Sequence, residues 1–161
     1  MPRHVEQRVL PYTREQLFDL VADVASYPQF LPWVVGARIR SKTPELLVAD
    51  LMVGFKVFRE TFTSKVTLDR PGHIHVDYVN GPLKYLHNDW TFTETADGKT
   101  SIDFFVDFEF KNRLFESMAG AVFHEAVKRM VTAFEKRAIA VYGAGGAASS
   151  GISKSSATRT A

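Results

Sequence analysis

A chain of 161 residues with a net charge of +2 has room for one domain with a sizeable core, and its Lys and Arg alternate with Asp and Glu rather than forming blocks. That balance speaks against DNA as a partner, the absence of cysteine excludes disulfides, thiol catalysis and thiolate metal sites, and no window approaches the ~18 apolar residues of a membrane span. Thirteen Phe are many for this length and suit a core or a pocket for something greasy.

The opening MPRHVEQRV has no apolar run of the kind a secretory signal carries, so a cytoplasmic protein is expected, at most peripheral at the inner face of the cytoplasmic membrane. HVEQRVL (4–10) alternates well enough for a first strand. Thr13 then opens a helix: Thr13 and Gln16 make a capping-box pattern, and Leu17, Phe18, Leu20, Val21 and Val24 supply an apolar face. Pro28 and Pro32 break that pattern and leave at most a turn or two of helix between them. Yet VASYPQFLPWVV (24–35) gathers Tyr27, Phe30, Leu31 and Trp33 around the two prolines. Such a segment suits either a loop that plugs the core or a lid over a cavity. As a lid, Phe30, Leu31 and Trp33 would gate entry and dip into a bilayer interface, a transient membrane contact.

From Val34 to Phe110 the period is mostly two. GARIRSK (36–42) reads as a strand. In ELLVADLMV (45–53) the apolar residues fall at odd positions, whereas from Phe58 to Leu68 they fall at even ones, so a hairpin turn is expected at GFKV (54–57). HIHVDYV (73–79) turns Ile74, Val76 and Tyr78 inward, and LHNDWTF (86–92) puts Leu86, Trp90 and Phe92 on one face. After an ADG turn (96–98), SIDFFVDFEF (101–110) runs Ile102, Phe104, Val106, Phe108 and Phe110 inward. Six or seven antiparallel strands with one apolar face result. A long helix over about 113–141 follows, with Leu114, Phe115, Met118, Val122, Ala126, Met130 and Phe134 at three- and four-residue steps. Residues 143–161 are small and polar without periodicity, which predicts a disordered tail after a domain spanning 1–142. The whole is an α+β arrangement: a curved antiparallel sheet gripping one long helix around an apolar interior.

Misfits in the alternation are the informative residues. Glu60 and Ser64 share the face of Phe58, Phe62 and Val66, and Asn88 shares the face of Leu86, Trp90 and Phe92. Buried without partners, such groups cost several kcal/mol. Either they reach water or one another at the sheet edge, or they line a cavity and orient a ligand; a buried Glu60 with a raised pKa would also keep proton donation open. MAGAV (118–122) is equally two-sided, since Gly120 between Ala119 and Ala121 serves close packing or leaves room for a ligand. His73 and His75 lie two apart on a face that parity makes solvated, and no third ligand accompanies them, so no metal site is expected. No G-x-S-x-G, phosphate-cradling loop or dinucleotide fingerprint occurs, and no catalytic residue or cofactor is expected.

SYPQFLPWV (26–34), GFKVFRETFTSKV (54–66), GPLKYLHNDWTF (81–92) and VDFEFKNRLF…MAGAVFHEAVKRMVTAFEKRA (106–138) together resemble the coenzyme Q-binding proteins of the START-like, helix-grip, polyketide cyclase-related superfamily. The resemblance covers about residues 3–142 and departs at Leu83, where Phe is usual. It implies a seven-stranded sheet around the C-terminal helix and an internal tunnel for a polyisoprenoid quinone. It further implies a non-enzymatic lipid chaperone that binds ubiquinone and supports its synthesis and respiratory electron transport. The same family holds bacterial toxins that block ribosomal subunit association, which makes the ribosome the alternative partner; an aromatase or cyclase using the same cavity is a third reading. On the chaperone reading, parity lays the isoprenoid tail along Leu51, Val53, Phe62, Trp90, Phe104, Phe108, Met118 and Val122. Glu60 or Asn88 then bonds the head group.

Overall fold

The computed structural model describes residues 3–55 and 58–143, with the side chains at 55, 58, 115 and 118–123 outside the description. Seven strands, β1 (Arg3–Leu10), β2 (Val34–Lys42), β3 (Leu46–Phe55), β4 (Phe58–Asp69), β5 (His73–Asn80), β6 (Leu83–Glu94) and β7 (Thr100–Phe110), form one sheet with two helices, α1 (Arg14–Ala22) and α2 (Arg113–Tyr142). The order across the sheet is β1-β7-β6-β5-β4-β3-β2, with every neighbouring pair antiparallel. This is the helix-grip α+β architecture that the alternation and the resemblance imply.

The parity change between β3 and β4 is a hairpin. Phe55 pairs with Phe58, which leaves a two-residue connection outside the described residues. Pairing then sets Leu51 opposite Phe62 and Leu47 opposite Val66, so the odd set of one strand and the even set of the other share the inner face. The capping box also forms: the Thr13 hydroxyl accepts from the Gln16 amide, and the Gln16 side chain accepts from the Thr13 amide. Beneath α1 the core is solid, with the Phe18 ring edge-on to Phe92 at 5.9 Å.

Three expectations need correction. The turn of helix falls at Val24–Gln29 as a 3-10 helix that includes Pro28, rather than between the two prolines. In β1 the alternation is inverted, with Val5 and Val9 exposed at 68% and 54% while His4, Glu6 and Arg8 turn inward. On α2, Leu114 is 66% exposed, and the buried face is Val127, Val131, Phe134 and Ala138. The cause is helical geometry. A row stepped by four residues winds about 40° per step, so Leu114 lies about 200° around the helix from Phe134. The expected tail, from residue 144 onward, falls outside the described residues.

α2 is held at its C-terminal end by two phenols. The Tyr12 hydroxyl donates to the Gly143 carbonyl at 2.8 Å, and the Tyr142 hydroxyl donates to the Gln16 carbonyl of α1 at 2.8 Å. Gly143 takes φ +83 and its amide donates to the Ile139 carbonyl, closing the helix as a left-handed cap. Among the described residues no helix is long and apolar enough to cross a membrane.

Candidate functional site

Between the inner face of the sheet and α2 lies a cavity of about 360 Å³, within the range of small-molecule sites. Strands β3 and β4 supply Leu51, Val53 and Phe62 to its wall, β6 and β7 supply Trp90, Phe104 and Phe108, and α2 closes it with Val127, Met130 and Phe134. The segment after the 3-10 helix adds Leu31, Pro32 and Trp33. Trp33 sits at φ +67, a left-handed backbone that a bulky residue seldom adopts and that costs about 1–3 kcal/mol. Its carbonyl accepts from the Gly54 amide at 2.8 Å, which ties the segment to the end of β3.

No Asp, Glu, Lys, Arg or His occurs among the described lining residues. Tyr27 is the one titratable group there. Burial, and secondarily Asp23, push its phenol well above the usual range, and its hydroxyl donates to the Val21 carbonyl. Polar character comes from Ser64 and Asn88. The Asn88 amide is oriented, with its nitrogen donating to the Phe105 carbonyl at 2.8 Å and its oxygen accepting from Trp90 Nε1 at 3.3 Å. One N–H and one lone pair are left for a guest. The Ser64 hydroxyl bonds no described residue. The two lie on a common face, since Val66, two residues from Ser64, pairs with Val76, which pairs with Asn88. Such a site can desolvate an apolar molecule and hold one hydrogen-bonding head. Among its described lining residues none is a general acid or base for neutral pH.

Of the residues singled out from the sequence, Leu31, Trp33, Leu51, Val53, Phe62, Asn88, Trp90, Phe104 and Phe108 line the cavity. Phe30 does not. It turns to the outer side of the segment, edge-on to Phe134 at 5.3 Å and to Tyr27 at 6.0 Å, and walls an outer depression along α2. Glu60 pairs with Val53 on the inner face and is half-buried, but is not among the lining residues. It sits two pairs in from the Phe55–Phe58 closing pair, opposite Val53, which does line the cavity. Met118 and Val122 have side chains outside the description. The sequence reading missed Tyr27 and Val127, and parity carries no signal for either, because one lies in the irregular segment and the other off the four-residue row.

A second constellation joins β1 to α2. The Arg8 guanidinium is ion-paired with both Glu6 and Glu135, and His4 contacts Glu6 at 2.8 Å and His124 Nδ1 at 3.0 Å. Burial pushes the Glu6 carboxyl up, but hydrogen bonds and charge from His4 and Arg8 outweigh it and hold the carboxyl below its usual range. On the outer face of the sheet, His73 Nε2 and His75 Nδ1 both meet Asp89, at 2.9 and 2.7 Å. His75 Nε2 also meets Asp77 at 2.9 Å. Both imidazoles are thus turned to carboxylates.

Residues 10–135 match the family described as polyketide cyclase / dehydrase and lipid transport. The chain belongs to that family. Among its relatives, the ribosome association toxin RatA of Escherichia coli K12 is 41% identical over 144 residues, spanning 89% of this chain and 91% of that protein. The mitochondrial coenzyme Q-binding protein COQ10 homolog B of Xenopus laevis is 35% identical over 142 residues, spanning 86% of this chain and 58% of that protein. Neither name is that of an enzyme. The solution structure of an 18 kDa protein of Caulobacter crescentus shares the fold at TM-score 0.72 and 39% identity, covering 89% of this chain and 100% of that one. The ZhuI aromatase/cyclase of a Streptomyces species superposes at TM-score 0.75 with 16% identity, covering 85% and 93%, a likeness of fold alone.

Proposed function

We propose that this chain is a carrier for a carbonyl-headed isoprenoid lipid of the ubiquinone class, which it holds between sheet and α2 without chemical turnover, in support of ubiquinone synthesis and respiratory electron transport. The observation that carries the reading is the cavity itself, mostly apolar and free of charge among its described lining residues. A quinone head presents two carbonyl acceptors, and the spare Asn88 N–H and the Ser64 hydroxyl are donors on one face. Ser64 takes the role first given to Glu60, which is not among the lining residues. Leu31 and Trp33 form the lid that admits cargo, and Met118 and Val122 remain candidate tail contacts.

Mass spectrometry of an organic extract from protein purified without detergent is the direct test, with a stoichiometric quinone expected. Uptake of ubiquinone from liposomes by Asn88→Ala and Ser64→Ala should weaken about fivefold per lost hydrogen bond, with the unfolding midpoint of Ser64→Ala unchanged. An extract without lipid, from a protein that also takes up no added ubiquinone, would remove the reading.

One observation favours a second reading: the relative named as a ribosome association toxin is more similar in sequence than the one named for coenzyme Q. On that reading the chain inhibits subunit association, and it should co-sediment with the large ribosomal subunit in a salt-sensitive manner. A cyclase activity is the least supported, since an uncharged cavity offers no proton relay; turnover of a polyketide would revive it.

A further inference from the structure

The outer face of α2 carries a feature that the cavity does not use. A shallow depression runs along the helix from Glu125 to Ala140, about 22 Å at 1.5 Å per residue, and is walled on one side by Phe30 and Pro32. Four cations line it: Lys128, Arg129, Lys136 and Arg137. A single carboxylate, Glu125, faces them, and it meets Arg129 at 3.5 Å. Lys128 and Lys136 are exposed and form no ion pair among the described residues. In a chain whose net charge is +2, a single helix face with four cations against one carboxylate is a concentration of charge. The sequence hides it, because Glu135 interrupts the basic run yet points away, to Arg8.

We infer that this face docks on an anionic phospholipid bilayer. Pro32 lines both the depression and the internal cavity, so a surface laid along the cations lies against the lid. The cations are spread over three turns of helix rather than converging on one point, as a headgroup layer requires and a single phosphate does not. Each basic residue near an anionic membrane contributes about fivefold in affinity. An RNA backbone would satisfy the same charges, but the neighbouring ring is not available for base stacking. Phe30 is flanked edge-on by Tyr27 and Phe134, and the Arg137 guanidinium sits 5.1 Å from its centroid. The geometry stands on its own; its purpose, delivery of lipid to the lid, rests on the carrier reading above.

The test is flotation with two kinds of vesicle, phosphatidylcholine alone and phosphatidylcholine with about a third replaced by phosphatidylglycerol. Wild-type protein should float with the anionic vesicles only, and less so as salt is raised. Lys128→Glu with Lys136→Glu should cost about thirtyfold or more, two cations at about fivefold each, and the Gln pair should fall between. Lys65→Glu, on the outer face of β4, should float as wild type. Uptake of ubiquinone from neutral detergent micelles by the double Glu variant should equal that of wild type, which separates loss of docking from loss of carrying. Equal flotation with both vesicles, a double variant that floats like wild type, or an equal loss in Lys65→Glu overturns the inference. So does wild-type protein that ignores both vesicles but retains a ribosomal RNA fragment through Lys128 and Lys136.

Discussion

The long helix is gripped on its two flanks by opposite means. Toward β1 it is held by polar contacts, with Arg8 ion-paired to Glu135 and the ring nitrogens of His4 and His124 at 3.0 Å. Toward the Tyr27–Trp33 segment and β6 it is held by ring edges, with Phe134 against Phe30 at 5.3 Å, Tyr27 at 5.5 Å and Trp90 at 5.1 Å. Directional bonds fix the helix in one register, and parting them leaves half-buried charges without partners. Apolar contacts are not directional, and they part without orphaning a donor or acceptor. The cavity lies on the apolar side, so the flank able to separate at low electrostatic cost is also the one that faces the site.

Phe134→Ala attacks the apolar flank where three rings meet, and it has the largest expected effect. A buried Phe reduced to Ala costs about 3–5 kcal/mol, and Phe134 is 7% exposed. A urea midpoint that moves by less than about 1 kcal/mol equivalent would mean that the rings do not hold the helix.

Glu135→Gln attacks the charged flank. Both partners of its pair with Arg8 are close to 30% exposed, so the loss should be about 1–2 kcal/mol, below the range of a fully buried pair. The same flank has an acid signature. The folded pKa of Glu6 is depressed below the ordinary 4.5, so its contribution is present above that value and is lost as pH falls through the lower folded value. Glu6→Gln should therefore flatten the acid limb of the stability curve. An acid limb as steep as that of wild type would show that Glu6 does not couple to folding.

The two flanks were not equally legible in the sequence. Strand parity from β3 to β7 placed seven of the nine singled-out wall residues, all but Leu31 and Trp33, because residues on a half-buried sheet alternate with a period fixed at two. Phe30 lies outside the cavity because the 3-10 turn through Pro28 has no such period, and a one-residue change of direction sends a side chain to the outer side of the segment. The charged flank was invisible for a different reason. In β1 the residues that look apolar, Val5 and Val9, face out, and those that look solvated, His4, Glu6 and Arg8, face in. That inversion makes sense only with Glu135 and His124 opposite, and no local pattern brings together residues more than 110 positions apart. The polar misfits Glu60, Ser64 and Asn88 share a face, but only the last two line the void, because parity gives the face of a residue and not its position along the cavity.

The smallest expected effect belongs to the outer face of β5 and β6, which neither flank touches, and it serves as the control for both. Hydrogen bonds donated by its ring to Asp89, then to Asp77, raise His75 above its usual 6.5 against the opposing pull of burial. Its contribution is therefore full below 6.5 and is lost as pH rises through the higher folded value. Burial pushes Asp89 up, but His75 and His73 outweigh it and hold the carboxyl below 3.8, so that contribution is present above 3.8 and lost on the acid side. Because these side chains are 34–42% exposed, solvent screens the pair and the gain is a few tenths of a kcal/mol. His75→Gln should remove a shallow decline in stability as pH rises above 6.5. It should leave ubiquinone uptake and the acid limb set by Glu6 unchanged. A change in uptake would mean that the outer face of the sheet communicates with the cavity, and the grip on α2 would then have to be reckoned as a third restraint rather than two.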